Sequence, residues 1–290
     1  MMRIYFFSWI CILLGSSCSN NGPGSNNELM SKAQGGYSDL IVVAEDKHWN
    51  AGLKDDVSFV FSEKIGGLYR PESDFDVTHV RPKGFSSLFK RQRAILFFDI
   101  SNSIDKSGIG YKESKFAKGQ LYVKISAKNF DEASSILLGG VAALREKMRS
   151  HRISTLQKSI APLSSTEIGS VLKKSVNASM KLTKYYSTVV SDSGFSYFGK
   201  KAKGQCQSGQ NSQCSYQTGL FISELPYDSE DVFKIDNYVT LKDSLTKKHI
   251  LGPEKSVPTY MEVERSIPVS SCVNKINNYY CVEYKGWWNM

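Results

Sequence analysis

The chain has 290 residues, 41% of them hydrophobic, and carries 37 Lys and Arg against 28 Asp and Glu for a net charge of +9. This apolar content supports a proper core, and the length fits one large domain or two small ones. The positive charge is spread rather than blocked and accompanies none of the sequence motifs of nucleic-acid-binding proteins, so its counterparts are solvent or anionic headgroups and glycans, with no nucleic acid expected.

The chain opens with Met1-Met2-Arg3, then runs apolar from Ile4 to Leu14 with only Ser8 interrupting. That run is too short to span a bilayer of about 30 Å, but it fits the charged start, apolar middle and small-residue exit of a signal peptide. The exit, Gly15-Ser16-Ser17-Cys18, resembles the lipobox of bacterial lipoproteins, in which the cysteine is acylated and becomes the first residue of the mature chain. Residues 1–17 are therefore read as a lipoprotein signal peptide and Cys18 as the lipidation site, the alternative being an ordinary cleaved signal that contains a cysteine. Residues 18–36, rich in Ser, Asn, Gly and Pro, read as a flexible tether. No acidic cluster follows Cys18, which favours a periplasm-facing attachment, at the outer membrane, over surface export. No later apolar run is long enough to span a membrane, so the body is expected to be soluble.

"SDLIVVAED" reads as a buried strand, followed by a helix opening at Asp55 or Asp56 with Val57, Val60, Phe61 and Ile65 inward and ending at Gly66-Gly67. "FDVTHV", "RAILFFDI" and "GQLYVKISA" are further strands. Asn129 and Glu132 predict the capped start of one long helix with Ala133, Leu137, Val141, Leu144 and Met148 inward. Its later part carries the basic stretch Arg145, Lys147, Arg149, His151 and Arg152. Ser164 and Glu167 predict the cap of the next helix, with Ile168, Val171, Leu172 and Ser175 on one face. "KLTKYYSTVV", the turn "SDSG" and "FSYFG" form a hairpin signal, and "SYQTGLFISEL" a strand. A helix from about Ser229 to His249 uses Val232, Ile235, Tyr238, Leu241 and Leu245. "PTYMEVERSIPV" and "NYYCVEYKGWW" close the chain as strands.

Strands suited mostly to antiparallel pairing, mixed with packing helices, give an α+β fold. The division falls near Ala161-Pro162, into an N-terminal half, 37–160, and a C-terminal half, 161–290. The pattern allows two similar halves, although no residue-level repeat supports a duplication. With Cys11 removed and Cys18 acylated, Cys206, Cys214, Cys272 and Cys281 remain. Of three possible connectivities, two local disulfides, Cys206–Cys214 and Cys272–Cys281, are expected in an exported protein. Zinc is the rival, but the spacings do not match CxxC and no His is near, so no metal is expected.

Glu45-Asp46-Lys47-His48-Trp49 ends the first strand, where carboxylates and an imidazole could act as a general acid/base site. The alternative is a solvated loop with Trp49 packed as its lid. His79, His151 and His249 are scattered. No HExxH, Gly-rich phosphate loop or GxSxG occurs, the Ser and Lys of "ISTLQK" are not in the SxxK order of serine penicillin-binding enzymes, and no cofactor is implied. Two aromatic clusters stand out, Tyr185, Tyr186, Phe195, Tyr197 and Phe198 in the hairpin, and Tyr279, Tyr280, Tyr284, Trp287 and Trp288 at the end. Such rings either stack on sugars and partner proteins or form the core.

In order, "HWNAGLKDDV", "GGLYRPESDFDVTHV" (Leu68, Pro71, Glu72, Phe75), "KRQRAILFFDI" (Arg93), "HILGPEKSVPTYMEVE" (Ile250, Gly252, Tyr260, Met261) and "EYKGWW" resemble segments of the domain of unknown function 4837 (DUF4837) family of bacterial lipoproteins. The likeness departs at Tyr69 and Arg70, and at Ala94, where the family has Asn. The resemblance implies no assigned activity. It marks Arg93, Glu72 and Tyr260 as candidate binding positions, the alternative being structural pairing across strands. Taken together, the sequence predicts a membrane-anchored envelope lipoprotein acting as a non-enzymatic binding or assembly module. Its expected partners are the membrane, through the N-terminal lipid, and an envelope protein or an anionic glycan or lipid. The alternative is an envelope hydrolase or transferase using Glu45, Asp46 and His48.

Overall fold

The structure, a computed structural model, describes residues 30–66, 72–205, 213–252, 259–276 and 279–289. The segment read as a signal peptide, with Cys18, and Cys206 lie outside the described residues.

The apolar run at Asp39–Val43 forms β1, buried along its length. A short helix α1 (Asp46–His48) and a π-helical turn (Trp49–Leu53) lead into α2 (Lys54–Phe61), which buries Val57, Val60 and Phe61. Gly52 makes this join possible: its φ is +134°, and an added Cβ would lie 3.2 Å from Phe130 Cζ. The helix stops at Phe61, short of the Gly66-Gly67 expected to end it, and Ile65 is a half-buried loop residue whose N–H bonds the Glu72 carbonyl. Next come β2 (Asp76–Val80), α3 (Ser87–Lys90), β3 (Ala94–Ile100), β4 (Gly108–Glu113) and β5 (Leu121–Ala127). They build a five-stranded sheet in the order β2-β1-β3-β5-β4, with β2, β1, β3 and β5 parallel and β4 antiparallel at the edge.

The helix expected after Asn129 is two helices, α4 (Phe130–Gly139) and α5 (Val141–Ile160). The N-cap is as expected: Asn129 Oδ1 accepts from the Glu132 N–H at 3.0 Å, and Glu132 Oε2 accepts from the Lys128 N–H at 2.7 Å. The break falls at Gly139-Gly140, where Gly140 leaves helical geometry and an added Cβ would lie 3.1 Å from Ile109 Cδ1. The inward face holds across the break: Ala133, Leu137, Leu144 and Met148 pack with α2 against one side of the sheet. A smaller aromatic-rich core covers the other side, with Phe85, Phe89, Phe97 and Phe116 around Ile41, Val43, Val80, Ile95 and Tyr122.

In the C-terminal half, α6 (Thr166–Val176) is capped by Ser165, one residue after the position expected from sequence; the Ser164 hydroxyl bonds the Ala161 carbonyl instead. β6 (Ser187–Asp192), β7 (Phe195–Gln205) and β8 (Gln213–Ser223) form an antiparallel meander whose first turn uses Gly194 at φ +78°. A 3-10 turn at Glu230–Phe233 separates Ser229 from α7 (Ile235–His249). The expected face of this helix is rotated by one residue: Val239, Lys242 and Thr246 are buried, while Ile235 is exposed. The cause is polar: Lys242 Nζ and Thr246 Oγ1 both donate to the Met261 carbonyl, at 2.7 and 2.5 Å, tying α7 to β9 (Glu262–Val263). β10 (Ser270–Ile276) and β11 (Tyr279–Lys285) pair antiparallel, and β12 (Trp288–Asn289) pairs with β9.

Most pairings across the molecule are antiparallel, and the fold is α+β. The halves differ in topology, a mixed five-stranded sheet against an antiparallel meander with two small ribbons, so the duplication that the pattern allowed is not in the fold. Among the described residues no helix is long and apolar enough to cross a membrane.

The expected Cys272–Cys281 disulfide is not formed, and both thiols are free. Register explains this: Cys272 faces Glu283 and Cys281 faces Asn274. The two cysteines are diagonal neighbours, about 7–8 Å apart between Cα atoms, beyond the usual reach of a disulfide. The Cys206–Cys214 pairing lies outside the described residues.

Candidate functional site

The N-terminal domain contains a cleft of about 800 Å³ at the starting edge of β3 and β5, walled by the segment before β1, the β4–β5 turn and one face of α5. Each wall has a local cause. The segment composition assigned to the tether is docked from Ser31 onward: Ala33 N–H bonds Lys118 O at 2.9 Å, and Lys118 N–H bonds Ser31 O at 2.9 Å. Gln34 N–H likewise bonds Arg91 O, and Arg93 N–H bonds Gln34 O. Gln120, fully buried, fastens the floor, its amide donating to Lys90 O and Gln92 O at 2.7 and 2.6 Å while its carbonyl accepts from Phe116 N–H. This clamp and Gly119, at φ +80°, set the turn that presents Lys118.

Helix α5 divides the basic stretch by its 3.6-residue period. Arg145, Arg149 and Arg152 turn toward the α2–β2 connection. Arg149 Nε and Arg152 Nη2 grip the buried Asp74 carboxylate at 2.7 and 2.8 Å. Arg145 donates to the Val60 and Phe59 carbonyls, both at 2.6 Å, and pairs with Glu63 at 2.9 Å. Lys147, His151 and Lys158 turn the other way, into the cleft.

The cleft is lined by five cations, Lys32, Arg93, Lys118, Lys147 and Lys158, against two carboxylates, Glu113 and Glu146. Arg93 Nε donates to Gly35 O at 2.8 Å and its guanidinium lies over the Tyr37 ring at 4.4 Å. Its terminal nitrogens have no hydrogen-bond partner among the described residues, so a forked donor pair remains for a ligand. Burial pushes the His151 pKa down, with Lys147 and Lys158 adding to the shift and Glu113 and a bond to the Gly119 backbone opposing it. The imidazole is therefore neutral at pH 7. Such a site can hold an anion of some size, with solvated lysines adapting around one oriented arginine.

Of the residues singled out from sequence, Arg93 lines this cleft; Glu45, Asp46 and His48 do not. Asp46 pairs with Arg81 at 2.7 Å, and Glu45 is exposed. The pKa of His48 is pushed down by burial and by Lys47, and its Nε2 is enclosed without a partner. Trp49 stacks on His79 at 4.3 Å, and His79 Nε2 bonds the Ala44 carbonyl at 2.9 Å. Glu72 is exposed in the loop before β2. Tyr260 sits in the C-terminal half, with Lys247 Nζ 5.5 Å from its ring and its pKa raised chiefly by Glu262. Glu72, Arg93 and Tyr260 are thus not brought together.

The aromatic hairpin is core: Phe195, Tyr197 and Phe198 are buried, although Tyr185 is exposed. At the end of the chain Tyr284 stacks on Tyr238 at 3.9 Å and its hydroxyl donates to the Phe233 carbonyl, while Tyr280, Trp287 and Trp288 are exposed. Among the described residues no group of three His, Cys, Asp or Glu can hold a metal ion. Sequence reasoning did not find Lys32, Glu113, Lys118, Glu146 or Lys158. The one signal for them was the i, i+4 spacing of Lys147 and His151 within the basic stretch, continued by Lys158.

Two family models match the chain, the domain of unknown function DUF8532 over residues 33–161 and the domain of unknown function DUF4837 over residues 165–290. The match to the DUF4837 family that the sequence resembles is thus confined to the C-terminal half, while the segments around Glu72 and Arg93, and all of the cleft except Lys32, fall within the DUF8532 match. No curated protein and no solved structure matches the chain.

Proposed function

We propose that the protein is an envelope lipoprotein, attached to the periplasmic face of the outer membrane through Cys18, whose N-terminal domain is a non-enzymatic module binding an anionic ligand. The observation that carries the binding reading is the excess of cations around one cleft, with the free fork of Arg93 at its wall. Anchoring is supported by the Gly15-Ser16-Ser17-Cys18 exit after a short apolar run. Titration calorimetry with inorganic phosphate tests binding: the wild type gives salt-sensitive heat that Arg93→Gln reduces about tenfold in affinity. Equal, salt-insensitive behaviour of both proteins would remove the cleft from consideration. Metabolic labelling with palmitate tests the anchor, with label expected on the wild type and absent from Cys18→Ser.

A further inference from the structure

We infer that the ligand of the cleft is an acidic saccharide, one or more sugar rings bearing phosphate or carboxylate, an assignment that rests on the anion-binding reading above. The two carboxylates motivate it. Glu146 forms no ion pair among the described residues, and Glu113 meets Lys147 only at 3.7 Å. Toward a bare anion both groups are repulsive and weaken the site. Toward a ligand that also carries hydroxyls they are strong acceptors, since an ionised carboxylate offers two oxygens and no donor. Ser150 and Ser154 stand beside them on α5, hydroxyls that both donate and accept.

The rest of the lining excludes other anions. It contains no large aliphatic side chain, Ala33 and Ala143 being its aliphatic members, and its remaining apolar surface lies along the stems of charged and polar side chains, which does not make a greasy channel for an acyl chain. Its aromatic rings are Tyr37, one face of which is covered by the Arg93 guanidinium, and the half-buried imidazole of His151, which together leave a nucleobase little open ring surface to stack on. The volume of about 800 Å³ lies in the upper part of the usual range for ligand sites. It exceeds what phosphate or a single small acid would fill. Cations for the acidic group, carboxylates and hydroxyls for the ring hydroxyls, and room for more than one ring converge on one chemistry.

Titration calorimetry on the full chain in detergent, with inorganic phosphate, glucose 6-phosphate, trigalacturonate and neutral maltotriose, tests this. The expected result is that glucose 6-phosphate or trigalacturonate binds at least tenfold more tightly than phosphate while maltotriose gives no heat, and the stronger of the two identifies phosphate or carboxylate as the acidic group. Glu146→Gln, at an exposed position that folding does not depend on, should abolish that tenfold gain and leave phosphate affinity equal or higher. If phosphate binds and the acidic sugars bind no better, the saccharide assignment is overturned and the anion site stands. If Glu146→Gln strengthens every acidic probe, the carboxylates do not serve ring hydroxyls and the assignment is likewise overturned. If no probe binds to the wild type, the anion-binding reading falls and takes this inference with it.

Discussion

On one side of α5, Arg145, Arg149 and Arg152 are committed to the protein's own carbonyls and to the buried Asp74; on the other, Lys147, His151 and Lys158 border an open cleft. The two faces share a helix, a charge and a stretch of sequence, and differ in what the cation is for. A planar guanidinium holds two acceptors in fixed directions and is weakly hydrated, which suits a buried clamp. An ammonium is a mobile, strongly hydrated point charge, which suits a surface that must adapt. The choice of arginine or lysine along α5 thus follows bonding role rather than burial, since Arg149 is as exposed as Lys147, and residue type marks the face that fixes the fold and the face left for other work.

The contrast can be broken most easily at Asp74. Asp74→Ala leaves Arg149 and Arg152 without their carboxylate, and should lower the unfolding free energy by roughly 3 kcal/mol in urea titrations, with phosphate affinity unchanged. A loss below about 1 kcal/mol would place the arginine clamp among ordinary surface pairs. Swapping cation type sharpens the comparison. Arg145→Lys keeps the charge but loses the forked bonds to Val60 and Phe59, and should cost about 1–2 kcal/mol. Lys158→Arg should stay within about 0.5 kcal/mol of wild type. Lys147→Gln should weaken phosphate binding about threefold in calorimetry, at equal thermal stability.

The smallest effect is that of His151. Burial lowers its folded pKa below 6.5, so above that pH both folded and unfolded forms are neutral and the residue contributes nothing to pH dependence. As pH falls below 6.5 the unfolded chain takes the proton first, and stability declines until the folded pKa is reached. Melting curves from pH 7.5 to 5 should show a decline that His151→Gln flattens. A saturating anion in the cleft should oppose the decline, because it favours the imidazolium.

The strands at 39–43, 94–100 and 121–127 were legible because continuous β-branched and aromatic runs have few other folded uses. Their parallel pairing left a mark that the reading did not use, because strands covered by helices on both faces read as continuous rather than alternating apolar runs, whereas the order of the strands leaves none. The inward face of α4 and α5 was visible from spacing, whereas the break between them depended on whether Gly139-Gly140 would bend or be carried through. On α7 a hydrophobic count chose Leu241 and Leu245, while the helix seats Lys242 and Thr246 inward because both reach the Met261 carbonyl. The Cys272 and Cys281 pairing failed on register alone, because Ile276 faces Tyr279 and every later pair follows from that.

Of the site, Arg93 was within reach of sequence reasoning, through its place in a family-like segment. The cleft draws on segments at residues 32–37, 113–120 and 143–159, so no window of sequence contains it. The corner at Glu45, Asp46 and His48 had the opposite character. It is contiguous, but successive side chains on a helical turn point about 100° apart. Adjacency in sequence therefore separated the groups it seemed to unite.

The docking of Ser31–Gly36 along the sheet edge has a mechanical side. Twelve residues lie between Cys18 and Ser31, which would make a leash of at most about 45 Å when taut if Cys18 carries the anchor proposed above. The same strip of chain that would take the pull of a membrane anchor is a wall of the cleft, held by the bridges Lys32 to Lys118 and Gln34 to Gln92. A ligand that met Lys32 and Arg93 together would fasten the strip to the domain, and in a chain anchored at Cys18 tension that peeled the strip away would open the wall and release the ligand. By reciprocity, occupancy would shorten such a leash and load would lower affinity, so an anchor of this design would report strain in the envelope as well as hold the protein in place.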